Sequence, residues 1–156
     1  MIAAGVDADR LARLRFFSGM DRDALATLAA CAREIGARRG EYLAEEGSVA
    51  DHFLVIEHGQ CAIEIHNPGR GSHVVATVGP GHLVGWSWRV SPHTWHFDVV
   101  VLEPTIAIEF DAYQVRAAVK GNPRLDSELT GRVAQTMARR LEAARMQLLD
   151  LYGRPL

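Results

Sequence analysis

The stretch Phe53-Leu54-Val55-Ile56-Glu57-His58-Gly59-Gln60-Cys61-Ala62-Ile63-Glu64-Ile65 decides how this chain is read. It opens with a continuous apolar run of strand length and ends in a period-two alternation, with a His58-Gly59 turn signal between them. The same pattern continues downstream. Val74-Val75-Ala76-Thr77-Val78, Phe97 to Leu102 and Ile106-Ala107-Ile108 are further short apolar or alternating runs. Asn67-Pro68-Gly69, Gly79-Pro80-Gly81, Ser91-Pro92 and Glu103-Pro104 separate them. Short strands at roughly 8–12-residue spacing with Gly and Pro between them indicate an antiparallel sandwich or barrel. The zone from about 41 to 110 has room for roughly seven or eight strands of five or six residues.

Both flanks change period. Residues 7 to about 39 follow helical spacing through Leu11, Leu14 and Phe17, then Leu25, Leu28, Ala29 and Ile35. Asp21 is placed to cap the second of these helices, because its carboxylate can accept from the free N–H groups of the first turn. Gly36 and Gly40 mark its end, and Cys31 falls on it as a small apolar residue. Beyond the β zone, residues 111–153 are helical again. Phe110 to Val119 makes a short helix, and Asn122-Pro123 supplies a cap followed by Pro at the first helical position. A long helix then runs from Pro123 to Tyr152, roughly 45 Å at 1.5 Å per residue, with Gly153 and Pro155 as its stop. Its apolar stripe is Leu129, Val133, Met137, Leu141, Ala144, Leu148, Leu151 and Tyr152. A helix that long projects beyond a small β domain, so its far turns are expected to pair with a second copy in a homodimer.

Composition sets the outer limits. The 156 residues are 48% hydrophobic and 23% charged, with 17 basic residues against 19 acidic and a net charge of −2. That describes one globular domain over 1–156 and gives no electrostatic footprint for nucleic acid. No apolar run approaches the roughly 20 residues of a membrane-spanning helix. The opening MIAAGVDADR has no basic and apolar export signal. Cys31 and Cys61 stand alone without a CxxC pair, as free thiols do in a reducing compartment. The expected location is the cytoplasm.

Five segments in order resemble the cyclic nucleotide-binding domain family. Phe16-Phe17-Ser18-Gly19-Met20 resembles its entry motif, and Gly40-Glu41-Tyr42-Leu43-Ala44-Glu45-Glu46-Gly47 its first turn and strand. Ala50-Asp51-His52-Phe53-Leu54-Val55-Ile56-Glu57-His58-Gly59 is similar to the strand ending in the Ile-x-x-Gly turn. Gly79-Pro80-Gly81-His82-Leu83-Val84-Gly85 is similar to the lead-in to the phosphate-binding cassette, and Val99-Val100-Val101-Leu102-Glu103 to the strand after it. The likeness spans roughly residues 14–145. It implies an α+β fold: N-terminal helices, an antiparallel β-roll (a jelly-roll-like barrel) and a long C-terminal helix. It also implies a regulatory role with cAMP or cGMP as ligand. Relatives of the catabolite activator type carry a helix-turn-helix module after this domain. Here the sequence ends at Leu156, so no DNA binding by the chain itself is expected.

The cassette departs from the family pattern. Where the family has a Glu for the ribose 2′-hydroxyl, Gly85 is followed by Trp86. The position of the phosphate-pairing Arg falls on Trp95, and the following Ser/Thr position on His96. Losing two hydrogen bonds to charged groups costs about 3–6 kcal/mol, roughly two to four decades in affinity. Arg89 is the cation left within the cassette, and guanidinium suits phosphate. Trp86, Trp88 and Trp95 can line a flat ligand by stacking, with Ser87 and His96 as polar contacts. The same rings can instead fill a collapsed pocket as core.

The expected ligand-binding residues are therefore Gly85, Trp86, Ser87, Trp88, Arg89, Trp95 and His96. The ligand is a cyclic nucleotide or another small molecule, acting by repositioning the C-terminal helix. A ligand-free adaptor working by dimerisation is the second reading. The third is a metal-binding roll using His93 and His96 with His82 nearby, all seven histidines lying between His52 and His96. Its spacing does not match the His-x-His of roll-shaped metal sites. No Gly-x-Ser-x-Gly elbow, phosphate loop or HExxH is present, and Glu45, Glu46 and Asp98 have no evident catalytic partner. No enzyme activity is expected.

Overall fold

The computed structural model describes residues 5–153. Helix α1 (Ala8–Ala12), a 3-10 turn (Arg15–Phe17) and α2 (Arg22–Ala29) lead into the strands β1 (Ala32–Ala37), β2 (Tyr42–Ala44), β3 (His52–Asn67), β4 (Gly71–Val78), β5 (Leu83–Val84) and β6 (Asp98–Asp111). Helices α3 (Ala112–Lys120) and α4 (Pro123–Gly153) complete the described chain. All pairings are antiparallel. The order is β1-β6-β3-β4, with β2 also on β6 and β5 also on β3. This is the expected α+β architecture, an open roll with helices at both chain ends. None of the described helices is long and apolar enough to cross a membrane.

The centre is the pair β3 and β6, in register from His52 opposite Asp111 to Glu64 opposite Asp98. Phe53, Leu54, Val55 and Ile56 are all fully buried, which explains a continuous apolar run where a one-sided strand would alternate. Two turn signals of the sequence are not turns. His58-Gly59 and Glu103-Pro104 lie within β3 and β6, where the register slips between Ile56 and Cys61. Gly59 (φ 97°) sits so close to the opposite strand that a Cβ would fall 2.4 Å from Thr105 Oγ1 and 2.6 Å from the Pro104 carbonyl oxygen. The glycine and the proline together bend a continuous ladder rather than end it. Five strands, β2 to β6, therefore stand in the 41–110 zone where seven or eight were expected, and β1 precedes it.

The helical reading of 7–39 also needs correction. Residues 32–37 form β1, pairing Ala32 with Phe110 and Ile35 with Ala107. Ile35 keeps helical spacing with Leu28, but the open edge of β6 offers this segment ladder hydrogen bonds, and Gly36 is a poor helix former. Cys31 consequently lies in the turn after α2, not on a helix. Asp21 takes the N-cap position without a capping side-chain bond. The other caps are made: Asp7 accepts from the Arg10 N–H at 2.8 Å, Asp111 from Gln114 at 3.0 Å and Asn122 from Leu125 at 3.1 Å. Cys61 is buried in β3 as expected, and both thiols are free. Pro155 lies outside the described residues, and α4 includes Gly153.

Arg10 fastens the N-terminal helices to the roll. Its Nε and Nη2 donate to both Glu57 carboxylate oxygens at 2.8 and 2.7 Å, and Nη2 also bonds Glu34. This fork holds the Glu57 carboxyl below the ordinary carboxylate range.

Candidate functional site

The cassette is the connection from β5 to β6. Its lead-in is held on β3, where the Gly81 N–H donates to the Ile56 carbonyl at 2.7 Å and Ile56 donates to the His82 carbonyl at 3.1 Å. Gly85 follows at φ 101°, a conformation that favours glycine. Closeness excludes a side chain there as well, because a Cβ would lie 2.5 Å from Cη2 of Trp95. A short 3-10 turn, Ser87–Arg89, comes next.

The three indoles divide. Trp88 is fully buried, stacks on Phe53 at 4.2 Å and donates its Nε1 to the Gly85 carbonyl at 3.1 Å. Phe53 stacks in turn on Phe110 at 4.8 Å, and Phe110 meets Phe17 at 5.6 Å. One aromatic column thus runs from the cassette to the N-terminal turn, each contact contributing about 0.5–1.5 kcal/mol beyond area burial. Trp95 is 2% exposed, with its backbone pinned to Ser48 and Gly47 at 2.8 Å. Trp86 is half-buried and stacks on the exposed His96 at 4.8 Å. His96 Nδ1 shares a 3.1 Å hydrogen bond with the buried Ser87 hydroxyl. Trp86, Ser87 and His96 thus form one contiguous group, while Trp88 and Trp95 pack inward.

Arg89 points out of the cassette toward α4. Its Nη2 donates to Asp126 Oδ1 at 2.6 Å and Thr130 Oγ1 at 2.7 Å, and its guanidinium lies 5.5 Å from the Trp88 ring. Arg116 of α3 donates to the Trp88 carbonyl at 2.8 Å. His93 adopts φ 59° and accepts through its carbonyl from Ala50 at 2.8 Å, so it shapes the loop. Among the described residues no group of three or more His, Cys, Asp or Glu is arranged to hold a metal ion, which does not favour the metal-binding roll. Asp98 accepts from the Glu46 N–H at 2.7 Å, a contact that positions a loop.

One residue that the sequence reading passed over stands out. Arg140 of α4 bonds the Leu83 carbonyl, two residues before Gly85. Its Nη1 is buried without a partner, and burial pushes its pKa down. It lines a cavity of about 360 Å³ between β4 and α4, with Val75, Val78, Ala143 and Ala144 as apolar walls and Arg139 beside it. The signal was present in the spacing. Arg140 lies seven residues after Val133, on the face that buries Leu129 and Val133. The stripe through Met137 and Leu141 instead drifts out to solvent. The other buried side-chain nitrogen without a partner among the described residues is Trp95 Nε1. Both are donors, one in the cassette and one on α4. Buried donors of this kind are rare enough to call for an acceptor.

The sequence pattern of the cyclic nucleotide-binding domain matches residues 35–122. The chain is 35% identical over 103 residues to the acetyltransferase Pat of Mycolicibacterium smegmatis, covering 65% of this chain but 30% of that protein. The chain thus spans less than a third of that relative's length. A cyclic nucleotide-binding domain structure from Methylobacillus flagellatus superposes with a TM-score of 0.80 at 18% identity, covering 96% of this chain and 88% of that one. A structure of a cAMP-binding acyltransferase from Mycobacterium smegmatis superposes with a TM-score of 0.61 at 27% identity, covering 78% of this chain and 38% of that one.

Proposed function

This chain belongs to the cyclic nucleotide-binding domain family, and from that premise we propose that it is a sensory module for an anionic small molecule held between the roll and α4, a cyclic nucleotide being the first candidate. The observation that carries this reading is Arg140. A half-buried guanidinium whose Nη1 is buried and unpaired is costly, and the oxygen of an anion would satisfy it. In this reading Arg140 supplies, from α4, the cation that the cassette lacks at Trp95. Trp95 Nε1, Trp86 and His96 lie in the cassette and do not line this cavity. The cAMP binding named for the Mycobacterium smegmatis acyltransferase supports the ligand class. The module acts by binding and carries no catalytic group of its own in this reading.

Signal would pass through α4, which touches the cassette segment from two directions: Arg89 reaches out to Asp126 and Thr130, and Arg140 reaches back to Leu83. A ligand that favours one arrangement of these contacts selects one helix position. The far turns of α4 suit a homodimer. Leu141, Ala144, Leu148 and Leu151 are exposed at three- and four-residue spacing, and a second copy of the same helix presents the complementary stripe.

Titration with cAMP and cGMP, followed by tryptophan fluorescence and calorimetry, tests the site. Saturable binding is expected in the unaltered chain, weakened at least about tenfold in Arg140→Met. Equal affinity in both proteins refutes the role of Arg140, and no response at roughly millimolar nucleotide refutes the cyclic nucleotide. Sedimentation of Leu141→Asp tests the dimer, since a mutant that sediments like the unaltered chain removes α4 from the interface.

A further inference from the structure

A second cleft lies around the side of α4, where the 3-10 turn Arg15–Phe17, the turn leading into β5 and the middle of α4 meet. We propose that it binds a phosphate-type oxyanion, with Arg15, His82, Arg132 and Arg139 as its donors. Its volume is about 270 Å³, slightly below the range of drug-sized ligand pockets, which suits a small ion or phosphomonoester. None of the residues lining it is acidic. That concentration of positive charge stands out on a chain whose net charge is −2.

The donors come from three separate elements, so the cluster is not a by-product of one helix face. Arg15 lies on the 3-10 turn, held close to the lead-in turn: a Cβ on Gly81 would sit 3.0 Å from Arg15 Cβ. His82 comes from the lead-in turn itself. Arg132 and Arg139 come from α4, two turns apart on the side facing the cleft. Arg132 is already oriented, because its Nη1 donates to the Phe16 and Ser18 carbonyls at 2.9 and 2.8 Å. Those bonds use both hydrogens on Nη1 and leave the three on Nη2 and Nε.

The electrostatics of His82 agree with this geometry. Burial first, and then the charges of Arg15, Arg140 and Arg139, lower its pKa from the ordinary 6.5. The share of that shift contributed by the guanidinium groups, second to burial, marks a locally positive potential. An anion seated among them reverses that pressure and draws a proton onto His82. The cleft adjoins the β4–α4 cavity through Arg139 and His82 but uses Arg15 and Arg132, which that cavity lacks. The inference therefore does not depend on the reading of Arg140.

The test follows the His82 imidazole by NMR in the whole chain. Inorganic phosphate and phenyl phosphate are titrated against chloride at matched ionic strength. Phosphate is expected to give a saturable shift with a midpoint of about 1 mM or below and to raise the His82 pKa. Arg15→Gln is expected to weaken it at least about tenfold. Tighter binding of phenyl phosphate identifies an organic phosphate, and equal or weaker binding identifies the free ion. Either result supports the site. A response no different from chloride, or an Arg15→Gln protein that binds like the unaltered chain, overturns it.

Discussion

In the first half of α4, Leu125, Leu129 and Val133 are buried against the rest of the fold. In its second half, Leu141, Leu148 and Leu151 continue the stripe at seven- and three-residue spacing but are 63%, 53% and 69% exposed. The amphipathic rule assigns residues to a common face in both halves, yet it does not say what that face meets. Near the roll, the face meets Phe16, the cassette and β5 through Arg132, Arg89 and Arg140. Beyond Arg140 every described residue of the helix is exposed. The near half therefore contributes to folding, and the far half is available for association.

This contrast can be tested in order of expected effect. Leu129→Ala should lower the unfolding free energy by about 2–5 kcal/mol in urea denaturation, because it opens a cavity where α4 packs. A loss under about 1 kcal/mol would mean the near half is not core. Arg89→Ala should cost about 1 kcal/mol, since it removes two contacts to α4 from a partly solvated guanidinium. Faster hydrogen exchange in residues 123–130 should accompany it, and unchanged exchange there would separate the cassette from the helix.

The pH response is smaller. The folded-state pKa of His82 is depressed, so the folded protein binds fewer protons than the unfolded chain near pH 6. The associated stability is present above the ordinary His pKa of 6.5 and is lost as pH falls through the folded value. His82→Gln should flatten that slope in a melting series, and an unchanged slope would assign it to other groups. The smallest effect belongs to the far half. In dilute monomer, Leu148→Ala should change stability by no more than about 0.5 kcal/mol. A larger loss would show that the distal helix has a partner within its own chain.

The β zone was legible because strand length, alternation and Gly/Pro spacing are local properties, and they recur from Phe53 to Phe110. Strand count was not, because His58-Gly59 and Glu103-Pro104 have turn chemistry but face each other across one bent ladder. Ile35 was misassigned for a related reason. Its helical spacing from Leu28 is real, but the free edge of β6 captured the segment as strand. In the cassette, residue types pointed to Trp86, Ser87, Trp88, Arg89, Trp95 and His96 without ranking them. Burial separates Trp88 and Trp95, packed inward, from Trp86 and His96 at the rim, and hydrogen bonding sends Arg89 to α4. Arg140 was missed because the stripe was traced through Met137 and Leu141, although an arginine on the Leu129–Val133 face was visible.

By itself, then, the sequence determined an antiparallel roll between helical ends, the order of the family motifs, and a C-terminal helix longer than the roll requires. Each follows from composition and short-range spacing, which dictate what shares a face or a turn. Tertiary structure decided which of those faces are buried, where Ile35 pairs, which indoles become core, and that Arg140 and Trp95 each keep a buried donor unpaired. Those outcomes depend on contacts between segments as distant as Leu83 and Arg140, and no local pattern encodes such pairings.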